Sequence, residues 1–189
     1  MKILIVASIF CLTTMTLQAQ NGKLPPVDKS PMDMSYYPPN YPILKIQDKA
    51  VEPLLARVIY SRPQKNGREV FGDLIDFGEI WRLGANEATE LELFKDCKLG
   101  NAKIKKGRYS LYAIPSTGKW TIIVNKETDT WGAFKYDASK DVARIDVSAE
   151  VQTQAAEDFS MYFEKGSNST SVLLNVYWDH YKVAIPFVF

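Results

Sequence analysis

The stretch VLLNVYW, residues 172–178, decides the fold, because Val, Leu, Val and Trp recur in it at every second position. Side chains alternate between the two faces of a β-strand, whereas a helix repeats its apolar face every three or four residues. The spacing therefore predicts a strand with one face in a core. Gly166–Ser169 forms a turn before this strand, and the residues before that turn, 159–163, alternate in the same way.

The same alternation recurs along most of the chain, and glycine, proline and polar residues separate the segments that carry it. Gly107 and Pro115 bound one segment and Ser116–Lys119 is a turn, which predicts a hairpin with the next segment. Many short strands with frequent turns indicate an all-β fold, either an antiparallel β-sandwich or an open barrel of the jelly-roll-like kind. The predicted strands are 54–61, 90–93, 108–114, 120–124, 143–147, 159–163 and 172–178.

Three further expectations concern the connections. After the tight turn at Asn66-Gly67, residues 68–71 are expected to return as the partner strand of 54–61. Asp179-His180 is expected to turn the chain before its last strand. Helix is favoured, and only mildly, at 137–142 and 150–157.

The first 20 residues have the pattern of a secretory signal peptide. Lys2 is the only charged residue, a largely apolar run covers Ile3–Leu12, and small and polar residues follow at 18–20. The run is shorter than the roughly 20 apolar residues of a membrane-spanning helix. Cys11 follows the bulky Phe10 inside the apolar run, which argues against a lipoprotein. We expect an exported protein, periplasmic or secreted, with no transmembrane anchor in the mature chain.

Residues 21–50 are rich in proline and tyrosine, and six prolines fall between Leu24 and Pro42. Proline fixes φ and lacks a backbone donor, so it excludes a helix or an inner strand through this stretch. We expect an extended arm, part of which lies against the domain surface; a disordered leader is the alternative. A single β domain is expected to follow at 51–189.

Composition excludes several classes of function. Loss of Lys2 lowers the basic count from 23 to 22, equal to the 22 acidic residues, so capture of nucleic acid by a strongly basic surface is not expected. His180 is the only histidine, and Cys97 is the only cysteine outside the signal. Zinc sites rich in histidine or thiolate are therefore excluded. No phosphate-binding glycine loop is present, and no cofactor, metal site or catalytic residue is predicted.

The candidate site is centred on the segment Gly78–Thr89, which lacks a regular apolar pattern and combines glycines with charged and amide side chains. The Glu87 carboxylate is expected either on an exposed loop or buried against an arginine, with Arg62, Arg82 or Arg144 as partner. The alternative for these residues is a purely structural ion pair. The candidate ligand-binding residues are Arg62, Trp81, Arg82, Asn86, Glu87, Trp131, Asp137 and Arg144.

Three functions are compatible with these residues. Aromatic rings beside charged groups are typical of a sugar-binding face, which favours a non-catalytic binding or interaction domain for a glycan or another cell-envelope component. The alternative is a hydrolase of carbohydrate or envelope polymer, in which Glu87 acts with Asp137 or Asp141 if the carboxylates lie about 5–10 Å apart. The third possibility is a purely structural protein of the cell envelope.

Several motifs together resemble the family called domain of unknown function 2911. They include YSRP at 60–63, WR at 81–82, GANEAT at 84–89 and WG at 131–132. The resemblance covers roughly residue 50 to the C-terminus; the arm before it differs from the commoner members. It implies export from Gram-negative bacteria and a mainly β fold. The resemblance implies no established activity, and it assigns no catalytic residue to this chain.

Overall fold

Strands make up most of the computed structural model of the chain, which describes residues 24–189. The predicted signal peptide lies outside the described residues. The elements are β1 (Met32–Tyr37), α1 (Tyr41–Ile46), β2 (Ala56–Ser61), β3 (Thr89–Leu93), β4 (Cys97–Leu99), β5 (Ala102–Ile104), β6 (Gly107–Pro115), β7 (Lys119–Asn125), a 3-10 turn (Ala138–Lys140), β8 (Asp141–Lys165) and β9 (Ser171–Val188).

The nine strands form one antiparallel sheet in the order β1-β2-β3-β6-β7-β8-β9-β4-β5. β1 and β5 are its two ends, so the sheet is open and does not close into a barrel. The prediction of an all-β antiparallel fold is confirmed. The hairpin of β6 and β7 is confirmed as well, with Pro115 opposite Trp120 at its turn.

The long strand β8 lets the sheet fold back over its own core. Its first part pairs with β7 and its second part with β9, and the register with β9 shifts twice between Val151 and Ser160. Such bulges bend a strand and increase its twist. The far end of β8 thereby reaches β1, where the Phe163 amide donates to Ser35 Oγ at 3.1 Å.

Period-two patterning places the core as predicted. The alternate side chains of β9 from Val172 to Trp178 are at most 2% exposed, and Phe159, Met161 and Phe163 of β8 are buried opposite them. Trp120 and Trp178 are both buried and lie in one aromatic cluster. Its rings belong to Phe71, Phe77, Trp81, Trp120, Phe159, Trp178 and Tyr181.

Three predictions about the connections are wrong. Residues 68–71 do not pair with β2, because β1 and β3 already occupy its two edges. Residues 150–157 are strand and not helix, because β8 continues through them toward its pairing with β9. Asp179-His180 is not a chain reversal: β9 runs through it, and Asp179 takes a left-handed φ of 50° beside a register shift. Of the predicted helical stretch 137–142, only the 3-10 turn at 138–140 forms.

The proline- and tyrosine-rich arm contributes an edge strand. Its residues 32–37 form β1, which pairs with β2 alone, and an edge position tolerates nearby prolines. The expectation of a wholly extended arm needs one correction, since Tyr41–Ile46 is a short helix. Pro42 stands in its first turn, where a missing N–H removes no helical hydrogen bond.

No disulfide crosslinks residues 24–189, because Cys97 is a free, buried thiol. Burial raises the pKa of that thiol to about 12, so it stays protonated at neutral pH. Among residues 24–189 no helix has the length and apolar character needed to cross a bilayer.

Candidate functional site

The loop between β2 and β3 carries the densest sequence motif and is held at both ends by backbone hydrogen bonds. Trp81 and Ala113 of β6 exchange two of these bonds, each of 2.8 Å. The Thr89 amide donates to the Arg82 carbonyl at 3.1 Å, and the Thr89 hydroxyl donates to the Leu83 carbonyl. Residues 81–89 therefore form a rigid platform at the end of the sheet.

The backbone of this loop is unusual at three positions. Leu83, Gly84 and Asn86 have φ of 54°, 143° and 58°. A left-handed conformation is rare for a buried leucine, costs roughly 1–3 kcal/mol and is concentrated at functional sites. Gly84 is required where it stands, because a Cβ there would lie 3.1 Å from the Ser61 carbonyl oxygen.

We expect Gly84→Ala to lower the free energy of unfolding by about 2 kcal/mol, since alanine is strained at this φ and crowds the Ser61 carbonyl. Urea unfolding monitored by tryptophan fluorescence measures the change. Gly118→Ala is the matched control, because a Cβ at Gly118 meets no atom within 4 Å. Equal losses in the two variants would contradict this account of the loop.

A cleft of about 460 Å³ opens beside this loop, and we call it the Arg82 cleft. Trp81 and Trp178 of the aromatic cluster line its inner side. Leu74 and Ile80 supply further apolar surface. The charged groups that line it are Arg68, Asp76, Glu79 and Arg82.

Arg82 differs from the other five arginines of the chain. Each of those donates side-chain hydrogen bonds to a carboxylate or a backbone carbonyl. The Arg82 Nε is buried and has no partner among residues 24–189, and no ion pair of those residues includes this side chain. Burial lowers the pKa of Arg82, which reflects an uncompensated loss of hydration. The cleft therefore presents a cation whose hydrogen-bonding capacity is unused.

Arg62 has a structural role in which each of its three side-chain nitrogens donates a hydrogen bond. Its Nη1 donates to Asp33 Oδ2 at 2.9 Å, its Nη2 to Ser160 Oγ at 3.0 Å and its Nε to the Phe159 carbonyl at 3.2 Å. These bonds join β1, the end of β2 and the second part of β8. Arg62 is therefore engaged in closing the folded-back sheet, and it does not line the Arg82 cleft.

Trp81 belongs to the core. It is 4% exposed, stacks on Trp178 at 5.9 Å between ring centroids, and donates its indole N–H to the Gly84 carbonyl at 3.0 Å. A tryptophan that stacks on a sugar needs at least one ring face free of such contacts. Trp81 therefore shapes the cleft and does not offer a stacking face.

Asn86 and Glu87 lie beyond the cleft on the same loop. The Asn86 side-chain amide donates to Asp28 Oδ1 of the arm at 3.0 Å, and the Asn86 backbone carbonyl accepts from the Gly132 amide. Glu87 is exposed and pairs through its backbone with Trp131. Within the described residues the Glu87 carboxylate forms no ion pair, so the expected arginine partner is absent and the exposed-loop alternative holds.

The remaining predicted residues lie around Trp131, which is 62% exposed beside the 85% exposed Phe134. Asp137 caps the 3-10 turn by accepting from the Ser139 amide and hydroxyl, and these bonds lower its pKa. Arg144 donates to Asp141 Oδ2 at 2.7 Å and to the Tyr136 hydroxyl at 2.5 Å. Asp137 and Arg144 thus have local structural partners, while Trp131 offers a free ring.

Three charged residues of the cleft were missed by the sequence prediction. Arg68, Asp76 and Glu79 lie in an irregular segment, and no periodicity marks such residues. The length of that segment was the available signal, because 27 residues without a regular strand separate β2 from β3. Long irregular connections inside a compact domain are usually functional.

No group of three His, Cys, Asp or Glu side chains among residues 24–189 is arranged to hold a metal ion. The charged groups that the Arg82 cleft offers to a ligand are two guanidinium groups and two carboxylates. A guanidinium binds a carboxylate or phosphate with paired hydrogen bonds, and carboxylates accept from hydroxyl or amino groups.

Comparison with known proteins identifies one family. The family model described as "Protein of unknown function (DUF2911)" matches residues 44–187, more than half of the chain. No curated protein matches the chain, and no solved structure matches it.

Proposed function

Because the chain belongs to the DUF2911 family, whose description assigns no activity, we propose its function from the cleft: it is a non-catalytic binding domain that holds an anionic group at Arg82. The protein works outside the cytoplasm, after removal of the signal peptide predicted at residues 1–20. Its ligand is an acidic glycan or a related component of the cell envelope.

The observation that carries this proposal is the unpaired guanidinium of Arg82. The Arg82 side chain is half-buried, and its buried Nε–H has no partner among residues 24–189, which costs free energy that a hydrogen-bonded ligand would recover. A carboxylate or phosphate in the cleft would accept the free N–H groups in charge-assisted hydrogen bonds. Arg68 lines the same cleft and adds a second positive charge for that group.

The rest of the cleft suits a sugar that carries such a group. Asp76 and Glu79 are exposed at the cleft and can accept hydrogen bonds from hydroxyls. Leu74, 46% exposed, and Ile80 offer apolar surface to the C–H face of a sugar ring. The cleft residues would contact a ligand that has one anionic group, several hydroxyls and one apolar face. An acidic glycan has these features, and a hydrocarbon or a nucleic acid fits them less well.

Arg82→Met tests the proposal. An array of glycans that bear carboxylate, phosphate or sulfate groups identifies the bound acid, and titration calorimetry then compares the variants. We expect Arg82→Met to weaken binding at least tenfold, because it removes the charge-assisted bonds. We expect its midpoint of thermal unfolding to stay equal or rise, because methionine removes a poorly solvated charge without breaking any bond within residues 24–189.

Arg108→Met is the matched control, since Arg108 is an exposed arginine that pairs with Glu90 and Asp129 and does not line the cleft. It should bind the acidic glycan as the unchanged protein does. Absence of binding to every acidic glycan of the array would refute the proposal. So would equal affinity in Arg82→Met.

The hydrolase alternative has less support in this geometry. Its carboxylates, Glu87 with Asp137 or Asp141, do not line the Arg82 cleft. Asp141 accepts from Asn125, Tyr136 and Arg144, so its oxygens are engaged. Chromatography of the bound oligosaccharide after prolonged incubation separates the two functions: the binding proposal expects it intact, and shortened products would favour the hydrolase.

A further inference from the structure

Two lysines lie opposite each other in the β4–β5 hairpin, at a position where a pair of opposite charges would stabilise the sheet. Lys98 and Lys103 are directly opposite in the antiparallel register, and both are exposed. Like charges in this position destabilise a sheet. No ion pair among residues 24–189 includes either lysine. By contrast, Arg57 of β2 stands directly opposite Glu92 of β3 and is paired with it.

Protection of the sheet edge does not explain this arrangement. A lysine on an edge strand prevents that strand from pairing with another chain. Lys103 lies on the edge strand β5 and protects it in this way. Lys98 lies on β4, which has β5 on one side and β9 on the other. A charge on an inner strand protects no edge, so edge protection accounts for Lys103 and not for Lys98.

An open groove of about 400 Å³ lies beside the pair, and we call it the hairpin groove. Its lining combines Lys98 and Lys103 with the apolar residues Ile104, Val188 and Phe189. Val188 is 42% exposed and stands directly opposite Lys98 in the pairing of β9 with β4. Positive charge and apolar surface therefore lie on the same face of neighbouring strands.

The other charges of the hairpin groove do not neutralise the two lysines. Asp96 accepts from Lys105 Nζ and from the Lys106 amide, each at 2.8 Å, so its carboxylate already has partners. The groove has the size of a small-molecule site, for which about 300–1,000 Å³ is usual. A ligand that fits it has an anionic end and an apolar body.

We infer that the hairpin groove binds a free amphiphile with one alkyl chain and an anionic head group. The head group lies between Lys98 and Lys103 and removes their repulsion, and the chain covers Val188 and Phe189. This site is separate from the Arg82 cleft, since the two share no lining residue. The inference does not depend on the proposed glycan ligand.

Titration with dodecanoate below its micelle concentration, followed by amide NMR shifts, tests the inference. We expect saturable shifts at β4, β5 and the end of β9, and no such shifts with dodecyltrimethylammonium, whose head group is cationic. Lys98→Glu turns the repulsive pair into a complementary one, so its unfolding midpoint should be unchanged or higher while dodecanoate affinity falls at least tenfold.

Lys135→Glu, an exposed change outside the groove, is the control for net charge and should keep the affinity. Arg82→Met should keep it as well, which separates this site from the cleft. If Lys98→Glu unfolds, the pair Lys98→Gln and Lys103→Gln provides the same comparison without a new charge. Lack of dodecanoate binding, equal affinity in the lysine variants, or the same shifts with dodecyltrimethylammonium would overturn the inference.

Discussion

Asp179→Ala is expected to lower the free energy of unfolding by about 3 kcal/mol, because it removes one partner of a buried ion pair. Asp179 is paired with Lys65, and the two side chains are only 7% and 20% exposed. The second Asp179 oxygen accepts from the Val70 amide at 3.2 Å. Loss of the carboxylate leaves the Lys65 ammonium and this amide without partners where little water reaches them.

Urea unfolding measures this loss, and Asp146→Ala is the matched control. Asp146 pairs with Lys119 on the open surface, where the two side chains are 49% and 61% exposed. Solvent-exposed pairs contribute little to stability. The control should therefore lose only a small fraction of what Asp179→Ala loses. Similar losses in both variants would contradict the structural role of Asp179.

Trp120→Ala is expected to cost about 4 kcal/mol, the range found when a fully buried large side chain is removed. Trp120 is 0% exposed and contacts the rings of Phe71, Trp81 and Tyr181 at centroid distances of 4.9, 5.8 and 6.2 Å. The cavity would open beside three aromatic rings that are themselves held by neighbours. The surrounding core therefore has little freedom to collapse into it.

The same change at Trp131 is the control for this prediction. Trp131 is 62% exposed, and surface substitutions of this kind usually change stability by about 0.5 kcal/mol or less. Thermal unfolding of both variants gives the comparison. A stability loss in Trp131→Ala that matches Trp120→Ala would mean that the aromatic cluster is not the core of this domain.

The prediction for Asp179 concerns a contact that the sequence did not place, whereas Trp120 lies in β7, a strand that the sequence predicted at 120–124. Period-two spacing located β9 and its buried face, because burial of one face imposes that spacing directly. Nothing local required Asp179 to hold the connection after β2: its partner Lys65 is 114 residues away in the chain. The turn expected at Asp179-His180 shows the limit, since turn-forming residues also serve inside bulged strands.

The candidate site was predictable only in part, for a related reason. Arg82 was identified because its motif combines positive-φ residues with charge, and the structure retains it in a cleft. Arg62 was grouped with it on composition, yet its donors are used by Asp33, Phe159 and Ser160. Residue type cannot distinguish a free guanidinium from an occupied one, because the partners are set by tertiary structure.

The arm adds to the site from outside the family match. The match begins at residue 44, whereas β1 and the preceding residues lie before it. Asp33 of β1 pairs with Arg62, Ser30 lines the Arg82 cleft, and Asp28 accepts from Asn86. The arm therefore contributes Ser30 to the lining of the cleft and contacts Arg62 and Asn86 beside it, from a segment that the family model does not cover.

Resonances of the arginine Nε–H groups test the central claim most directly. The chain has six arginines. The Nε–H groups of Arg57 and Arg82 are buried without a partner among residues 24–189, and of these two only Arg82 lines the cleft. We predict that an acidic glycan selected on the array shifts the Arg82 Nε–H signal in a saturable way and leaves those of Arg57, Arg62, Arg108 and Arg144 in place. An Arg82 signal that stays unchanged while the glycan is bound elsewhere would contradict the account.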